Sequence, residues 1–187
     1  VTRRDIPNLI TLLRFLMVPP FVWLLLEGRH GQALALFFIA GFSDGLDGFL
    51  AKRYGWTSRL GGLLDPLADK LLLLSAFVTL GYLGLLPVYL VGLVLLRDVV
   101  IVSGAIAYHF RVARLDADPS WVSKVNTVLQ IALVLLVIFN QAYPWLAPFW
   151  LLMLEAMVVL ATVWSGLDYV WTWGRRAQQP QRSAKDE

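Results

Sequence analysis

Six apolar stretches, each near the roughly 20 residues that a helix needs to cross a bilayer, fill most of this 187-residue chain. They run over 9–26, 33–50, 63–86, 88–110, 121–139 and 145–173. Apolar residues make up 58% against 16% charged, and the mean hydropathy is +0.67, far from the soluble average of roughly 45–50% apolar and 25% charged. The expected fold is all-α: a polytopic integral membrane protein with six transmembrane helices in a single domain over 1–174. A polar tail over 175–187 reads as disordered. The first stretch does not read as a cleavable signal peptide, because it carries Arg14 and ends in Glu27-Gly28-Arg29-His30 without a small-residue cleavage pattern.

Cytoplasmic loops retain Lys and Arg. With a cytoplasmic N-terminus, that side collects Arg3, Arg4, Lys52, Arg53, Arg59, Arg111, Arg114, Lys124, Arg175, Arg176, Arg182 and Lys185, leaving only Arg29 on the other. Both termini are therefore expected in the cytoplasm. The basic excess is an insertion signal with a secondary pull toward anionic lipids, and a net charge of +3 without clustering argues against nucleic acid. The absence of cysteine removes thiolate chemistry.

Carboxylates that interrupt membrane segments cost a few kcal/mol each and need a partner or a use. Asp44 and Asp47 lie at i, i+3 on the second stretch, and Asp65 and Asp69 at i, i+4 on the third, so each pair shares a helical face. The second stretch runs inward and the third runs back out. All four acids thus reach a similar depth, one or two turns below the cytoplasmic boundary, where adjacent antiparallel helices would present them to one cavity. Four such groups stay ionised together only around cations. Oxygen ligands without His or Cys favour Mg²⁺, Mn²⁺ or Ca²⁺ over zinc, and two bridged divalent ions form the clamp of phosphoryl transfer. The plainer alternative pairs some of the acids with Lys52, Lys70 or Arg97.

Glycine is concentrated around the acids, at Gly41, Gly45, Gly48, Gly55, Gly61 and Gly62. Close helix packing accounts for Gly41 and Gly45. Gly48 and Gly61 would let a pyrophosphate approach the backbone, with Lys52, Arg53 and Arg59 to neutralise it.

The run Asp44-x2-Asp47-Gly48-x2-Ala51-Lys52-x8-Gly61-x3-Asp65-x3-Asp69 resembles the signature of the CDP-alcohol phosphotransferases, with Lys52 where the family usually has Arg. The resemblance implies a membrane enzyme that moves a phosphatidyl or related group from a CDP-linked donor to an alcohol and releases CMP. By matching position, Asp44, Asp47, Asp65 and Asp69 would hold two divalent cations, Mg²⁺ or Mn²⁺. Asp69 would also act as the base toward the acceptor hydroxyl, and Gly48, Ala51, Lys52 and Gly61 would surround the cytidine diphosphate. A six-helix fold and a homodimer are implied as well. CDP-diacylglycerol is the expected donor, reached laterally from the bilayer, in a bacterial inner membrane with the site facing the cytoplasm.

Selectivity for the acceptor must come from residues around the acids, and the candidates are Arg14, Lys70, Arg97, Ser123, Lys124 and Asn126. Snorkelling competes as an explanation of Arg14 and Lys124, whereas Arg97 is too deep and should face the bundle. Asp98 is not on its helical face, so direct pairing of Arg97 with Asp98 is not expected. Ile6-Pro7-Asn8, Leu96-Arg97-Asp98-Val99 and Ser123-Lys124-Val125-Asn126-Thr127 look like segments of the CMP-forming cardiolipin synthases. Phosphatidylglycerol is favoured as acceptor, with glycerol 3-phosphate, as in phosphatidylglycerophosphate synthases, as the alternative. A divalent-cation transporter would also gather membrane carboxylates, yet near the midplane rather than toward one side.

His30 and His109 are isolated, Trp121, Trp145 and Trp173 suit an interfacial belt, and Asp118-Pro119 reads as a helix start. Glu155 has two open roles, a pair with Arg97 or a dimer contact.

Overall fold

The backbone of 6–54, 61–111 and 121–178, with side chains over 11–43, 67–104, 121–169 and 171, is described by a computed structural model. Six helices follow one another: α1 (Ile6–Leu26), α2 (His30–Tyr54), α3 (Gly61–Tyr82), α4 (Val88–Arg111), α5 (Trp121–Ala142) and α6 (Pro148–Gln178). The described residues are all-helical apart from turns. Their lengths, from 21 to 31 residues, correspond to about 32 to 46 Å at 1.5 Å per residue. Among the described residues, α5 and the 148–169 part of α6 are long and apolar enough by length and composition to cross a bilayer, and the described parts of α1 and α2, Thr11–Leu26 and His30–Ser43, are apolar as well.

Glycine sets two of the turns. At Gly28 and Gly84 φ is 72°, the left-handed conformation that costs glycine nothing. Arg29 N donates to Leu24 O at 2.9 Å and Gly28 N to Leu25 O at 3.1 Å; Leu85 N donates to Leu80 O at 2.9 Å and Gly84 N to Gly81 O at 3.1 Å. Both are Schellman caps, which satisfy carbonyls that a helix end would otherwise orphan. The second cap ends α3 at Tyr82, short of the 63–86 expected from hydropathy alone, because that cap forms within an apolar run. At the other extreme, α6 continues to Gln178, four residues into the expected tail. Asp118-Pro119 lies outside the described residues.

α1 packs on α2 and α3, α5 on α2, α3 and α6, and α4 on α3 and α6. Among the described residues α2 and α3 both pack on α1 and α5; the side chains of the turns that carry Asp44, Asp47 and Asp65 lie outside them. Arg97 on α4 reaches Ser165 on α6, and Ile101 reaches Tyr169, with the same sequence separation of 68. That constant offset means that α4 and α6 run parallel. They approach closely where α4 has no side chain, since a Cβ at Gly104 would lie 2.9 Å from Tyr169 Cε1. Gly81 plays the same part between α3 and α4, with Val91 Cγ2 at 2.7 Å from where its Cβ would be. Gly41, read from sequence as a packing glycine, has nothing within 4 Å of that position.

The interior has two zones. An aliphatic and aromatic cluster that includes Phe21, Leu25, Phe37, Ala76, Leu80, Leu90, Leu133 and Ile138 fills the half toward the Gly28 and Gly84 turns. The opposite half buries Thr11, Arg14, Arg97, Asn126, Gln130, Thr162 and Ser165. Large apolar side chains cover the outside, among them Leu16, Trp23, Phe38, Leu96, Leu152 and Trp164. An apolar outer surface with charged and amide groups buried at one end differs from a water-soluble domain and suits a protein whose solvent is lipid.

Candidate active site at the polar end of the bundle

Four carboxylates singled out by their spacing belong to this end by their place on the helices. Asp44 and Asp47 sit in the later turns of α2, together with Gly48, Ala51 and Lys52, and Asp65 and Asp69 in the early turns of α3, which Gly61 opens. The side chains of Asp44, Asp47 and Asp65, and of Ala51 and Lys52, lie outside the described residues, as do Gly55 and Arg59 altogether. Asp69 is described. Its Oδ1 accepts a hydrogen bond from Arg14 Nη1 at 2.6 Å, and its side chain is 45% exposed against 1% for Arg14.

This pair revises the role of Arg14. Rather than snorkelling to the boundary, the guanidinium lies inside the α1–α3 contact and fixes one edge of the Asp69 carboxylate. Thr11, one turn earlier on the same face of α1, is also fully buried. A charge-assisted contact of this length is strong and directional. Because Asp69 is half exposed, solvent screens part of the attraction, and orientation is the larger consequence.

A second cluster ties α3, α4, α5 and α6 together. Asp98 Oδ1 accepts from Arg97 Nη1 at 2.8 Å and faces Lys70 Nζ at 3.3 Å. Arg97 Nη2 donates to Ser123 Oγ at 2.6 Å and to Ser165 Oγ at 2.7 Å, and Nε to Ser165 Oγ at 3.3 Å. Direct pairing of Arg97 with Asp98 corrects the expectation from helical faces. Adjacent residues diverge at Cβ, but the long arginine arm brings its fork back across the turn to the short aspartate. With these partners Arg97 is committed, and Glu155 makes no ion pair with it; Glu155 has no hydrogen bond or ion pair among the described residues. Gly166 lies beside this arginine, where a Cβ would make an ordinary contact with Arg97 Cγ at 4.0 Å.

The remaining acceptor candidates separate. Lys124 is exposed, with Nζ 5.2 Å from the ring centroid of Trp121, so it stands apart from the cluster in a cation–π contact. Asn126 is fully buried, and its Oδ1 accepts from Thr162 Oγ1 at 2.9 Å. Sequence reasoning missed Thr11, Gln130, Thr162 and Ser165, because small neutral residues do not stand out in a hydrophobic segment. The spacing of Gln130 four residues after Asn126 was the available signal.

Between α2 and α5 an apolar groove of about 690 Å³, lined by Leu34, Phe38, Ile39, Leu135 and Phe139, opens along the outside. Ile39 is just over one turn before Asp44 on α2, so the groove leads toward the acid-bearing end of that helix.

Residues 4–164 match the family model described as CDP-alcohol phosphatidyltransferase. The chain belongs to this family. It is similar to the cardiolipin synthase (CMP-forming) of Rattus norvegicus, 31% identical over 190 residues that cover 93% of this chain and 63% of the rat protein. The probable phosphatidylglycerophosphate synthase of Mycobacterium tuberculosis (strain H37Rv) is 35% identical over 178 residues, 89% of this chain and 80% of that protein. The CDP-diacylglycerol–glycerol-3-phosphate 3-phosphatidyltransferase of Blochmanniella floridana is 32% identical over 180 residues, 90% of each. The chain spans 63% of the length of the rat and human cardiolipin synthases it matches. Relatives named as cardiolipin synthase and as phosphatidylglycerophosphate synthase thus stand together among those it matches.

Proposed function

We propose that this chain is a membrane phosphatidyltransferase that takes CDP-diacylglycerol as donor, passes its phosphatidyl group to phosphatidylglycerol and releases CMP, making cardiolipin. The observation that carries the acceptor is charge accounting inside the polar zone. Arg14 faces Asp69, and Arg97 and Lys70 share the one carboxylate of Asp98, so these three cations meet two carboxylates and a single positive charge is left over. One surplus positive charge falls short of a dianionic small phosphate, whereas phosphatidylglycerol, with a single phosphodiester charge, needs no more than that. Glycerol 3-phosphate is the second reading, favoured by the relative from Blochmanniella floridana that is named for it.

In this proposal Asp44, Asp47, Asp65 and Asp69 hold two Mg²⁺ or Mn²⁺ ions. The donor set fits, being carboxylate oxygen throughout, with Asp69 half exposed. When bound, such ions spread pyrophosphate charge and make CMP a better leaving group. The chain's own residues do the rest. Gly48 and Gly61 leave room beside the acids, and Ala51 and Lys52 stand on the next turn of α2 for the cytidine diphosphate. Asp69, oriented by Arg14, takes the proton of the acceptor hydroxyl. The α2–α5 groove receives an acyl chain of the donor, since it is apolar and leads along α2 to the acids.

All six helices span in this reading, with both termini and the acids on the cytoplasmic side of a bacterial inner membrane, as the basic residues direct, and two copies form a homodimer as the family likeness implies. Polar side chains gathered at one end of the bundle suit an interfacial enzyme better than a divalent-cation transporter.

Product mass tests the proposal. Purified chain in detergent with Mn²⁺ and CDP-diacylglycerol is offered phosphatidylglycerol and glycerol 3-phosphate in separate reactions. Cardiolipin together with CMP is expected. Phosphatidylglycerophosphate alone would replace the acceptor, and cation flux in vesicles without CMP release from any alcohol would replace the class.

A further inference from the structure

The buried stripe of α5 changes character along its length. Deep in the bundle it is aliphatic, with Leu133, Val134, Val137 and Ile138; toward the polar end it is Asn126 and Gln130, one turn apart on the same face. Their relative exposures are 0% and 2%. Asn126 Nδ2 and Gln130 Nε2 are both buried without a hydrogen-bond partner. A primary amide carries two N–H donors, and a bilayer supplies no water to satisfy them, so leaving them unmet destabilises the fold. A leucine at 130 would simply continue the stripe below it. The polar choice therefore calls for oxygen atoms that arrive from elsewhere.

Position says which oxygens. Ser123, one turn before Asn126 on α5, holds Arg97, and Thr162 on α6 donates to the Asn126 amide oxygen, leaving its nitrogen unpaired. α5 also packs against α3, the helix of Asp65 and Asp69. The amides thus lie one and two turns deeper than the Arg97 cluster, on a helix that touches the acid-bearing one. They are uncharged donors, suited to neutral oxygen acceptors, while the nearby cations face Asp98 and Asp69.

We infer that Asn126 and Gln130 form the subsite for the glycerol moiety of the acceptor, donating to its hydroxyl or ester oxygens. The inference rests on the phosphatidyltransferase reading above. Phosphatidylglycerol and glycerol 3-phosphate both present such a glycerol, and the two are separated by experiment rather than by the amides themselves.

The test compares wild type with Gln130→Leu, which removes one donor of the pair without stranding a hydrogen-bond partner, and with Gln130→Asn, which shortens the amide. CMP release is followed at saturating CDP-diacylglycerol against each acceptor, and thermal unfolding is followed in detergent with and without phosphatidylglycerol. Gln130→Leu is expected to melt at a higher temperature than wild type when lipid is absent. Its KM for the productive acceptor should rise about tenfold or more, the penalty for a lost hydrogen-bonding site, while its KM for CDP-diacylglycerol stays within about twofold. Gln130→Asn should fall between the two. A rise confined to phosphatidylglycerol assigns the lipid as source, and one confined to glycerol 3-phosphate assigns the small alcohol. Normal acceptor KM in Gln130→Leu, with wild type turning over, overturns the subsite and leaves the reaction class standing. Wild type that releases no CMP with either alcohol removes the reaction class, and the subsite with it.

Discussion

At the scale of single residues, the Arg14–Asp69 contact converts a charge that sequence places in a hydrophobic segment into a device for aiming a carboxylate. Arg14→Leu should lower the transfer rate about tenfold to a hundredfold and destabilise the fold by about 1–3 kcal/mol, because the partner of a charged hydrogen bond is lost; Arg14→Lys should recover part of the rate, since it keeps charge but not the fork. Steady-state rates and unfolding midpoints in detergent check both. Asp69→Asn should keep donor binding and lose transfer, measured by retention of CDP-diacylglycerol beside CMP release. Equal loss of binding and transfer would reassign the residue to holding metal alone. Asp69, Arg14 and Arg97 were legible because each breaks a hydrophobic pattern and so stands out. Their partners were not. Which groups meet across helices depends on helix rotation and packing distance, which periodicity does not specify, and Arg97 reaching its own neighbour Asp98 shows that arm length can override the helical face.

Among the helices, existence and order were readable from hydropathy because each apolar run is long, while their ends were set by local chemistry that hydropathy does not see. The cap at Gly84 stops α3 inside an apolar run, and α6 carries its helix into a polar segment. The α4–α6 interface depends on one missing side chain. Gly104→Ala should cost about 1–3 kcal/mol, as overpacking does, by pushing against the Tyr169 ring 2.9 Å away. Tyr169→Phe should cost about 1 kcal/mol through its hydrogen bond to Ile101 O. Thermal unfolding of the single and double variants should show non-additivity, because both changes act on one ring. At the α3–α4 contact, Val91→Ala should rescue Gly81→Ala by removing the methyl group that lies 2.7 Å from the new Cβ; full additivity there would contradict the packing described.

Taken as a whole, the molecule is apolar outside and divided inside, with aliphatic packing at one end and buried ions and amides at the other. This division lets a bundle that offers lipid a hydrophobic surface keep charged groups buried at one end. Trp23, Trp150 and Trp164 are each more than half exposed, so lipids brominated on their acyl chains should quench much of the tryptophan fluorescence in reconstituted bilayers, and weak quenching would place the bundle outside the hydrocarbon. Sequence disclosed the membrane class through length and composition, but the two zones emerge only when helices are packed, since Thr162, Ser165 and Gln130 acquire meaning from their neighbours. In the proposed reaction the acids of α2 and α3 work together around divalent ions on a nucleotide-activated lipid. The most direct test is Mn²⁺-dependent CMP release from CDP-diacylglycerol in the presence of phosphatidylglycerol, compared between wild type and a folded Asp65→Asn variant. Release that needs the cation and disappears in the variant is predicted; release that continues without the cation, or that survives in Asp65→Asn at near wild-type rate, would contradict it.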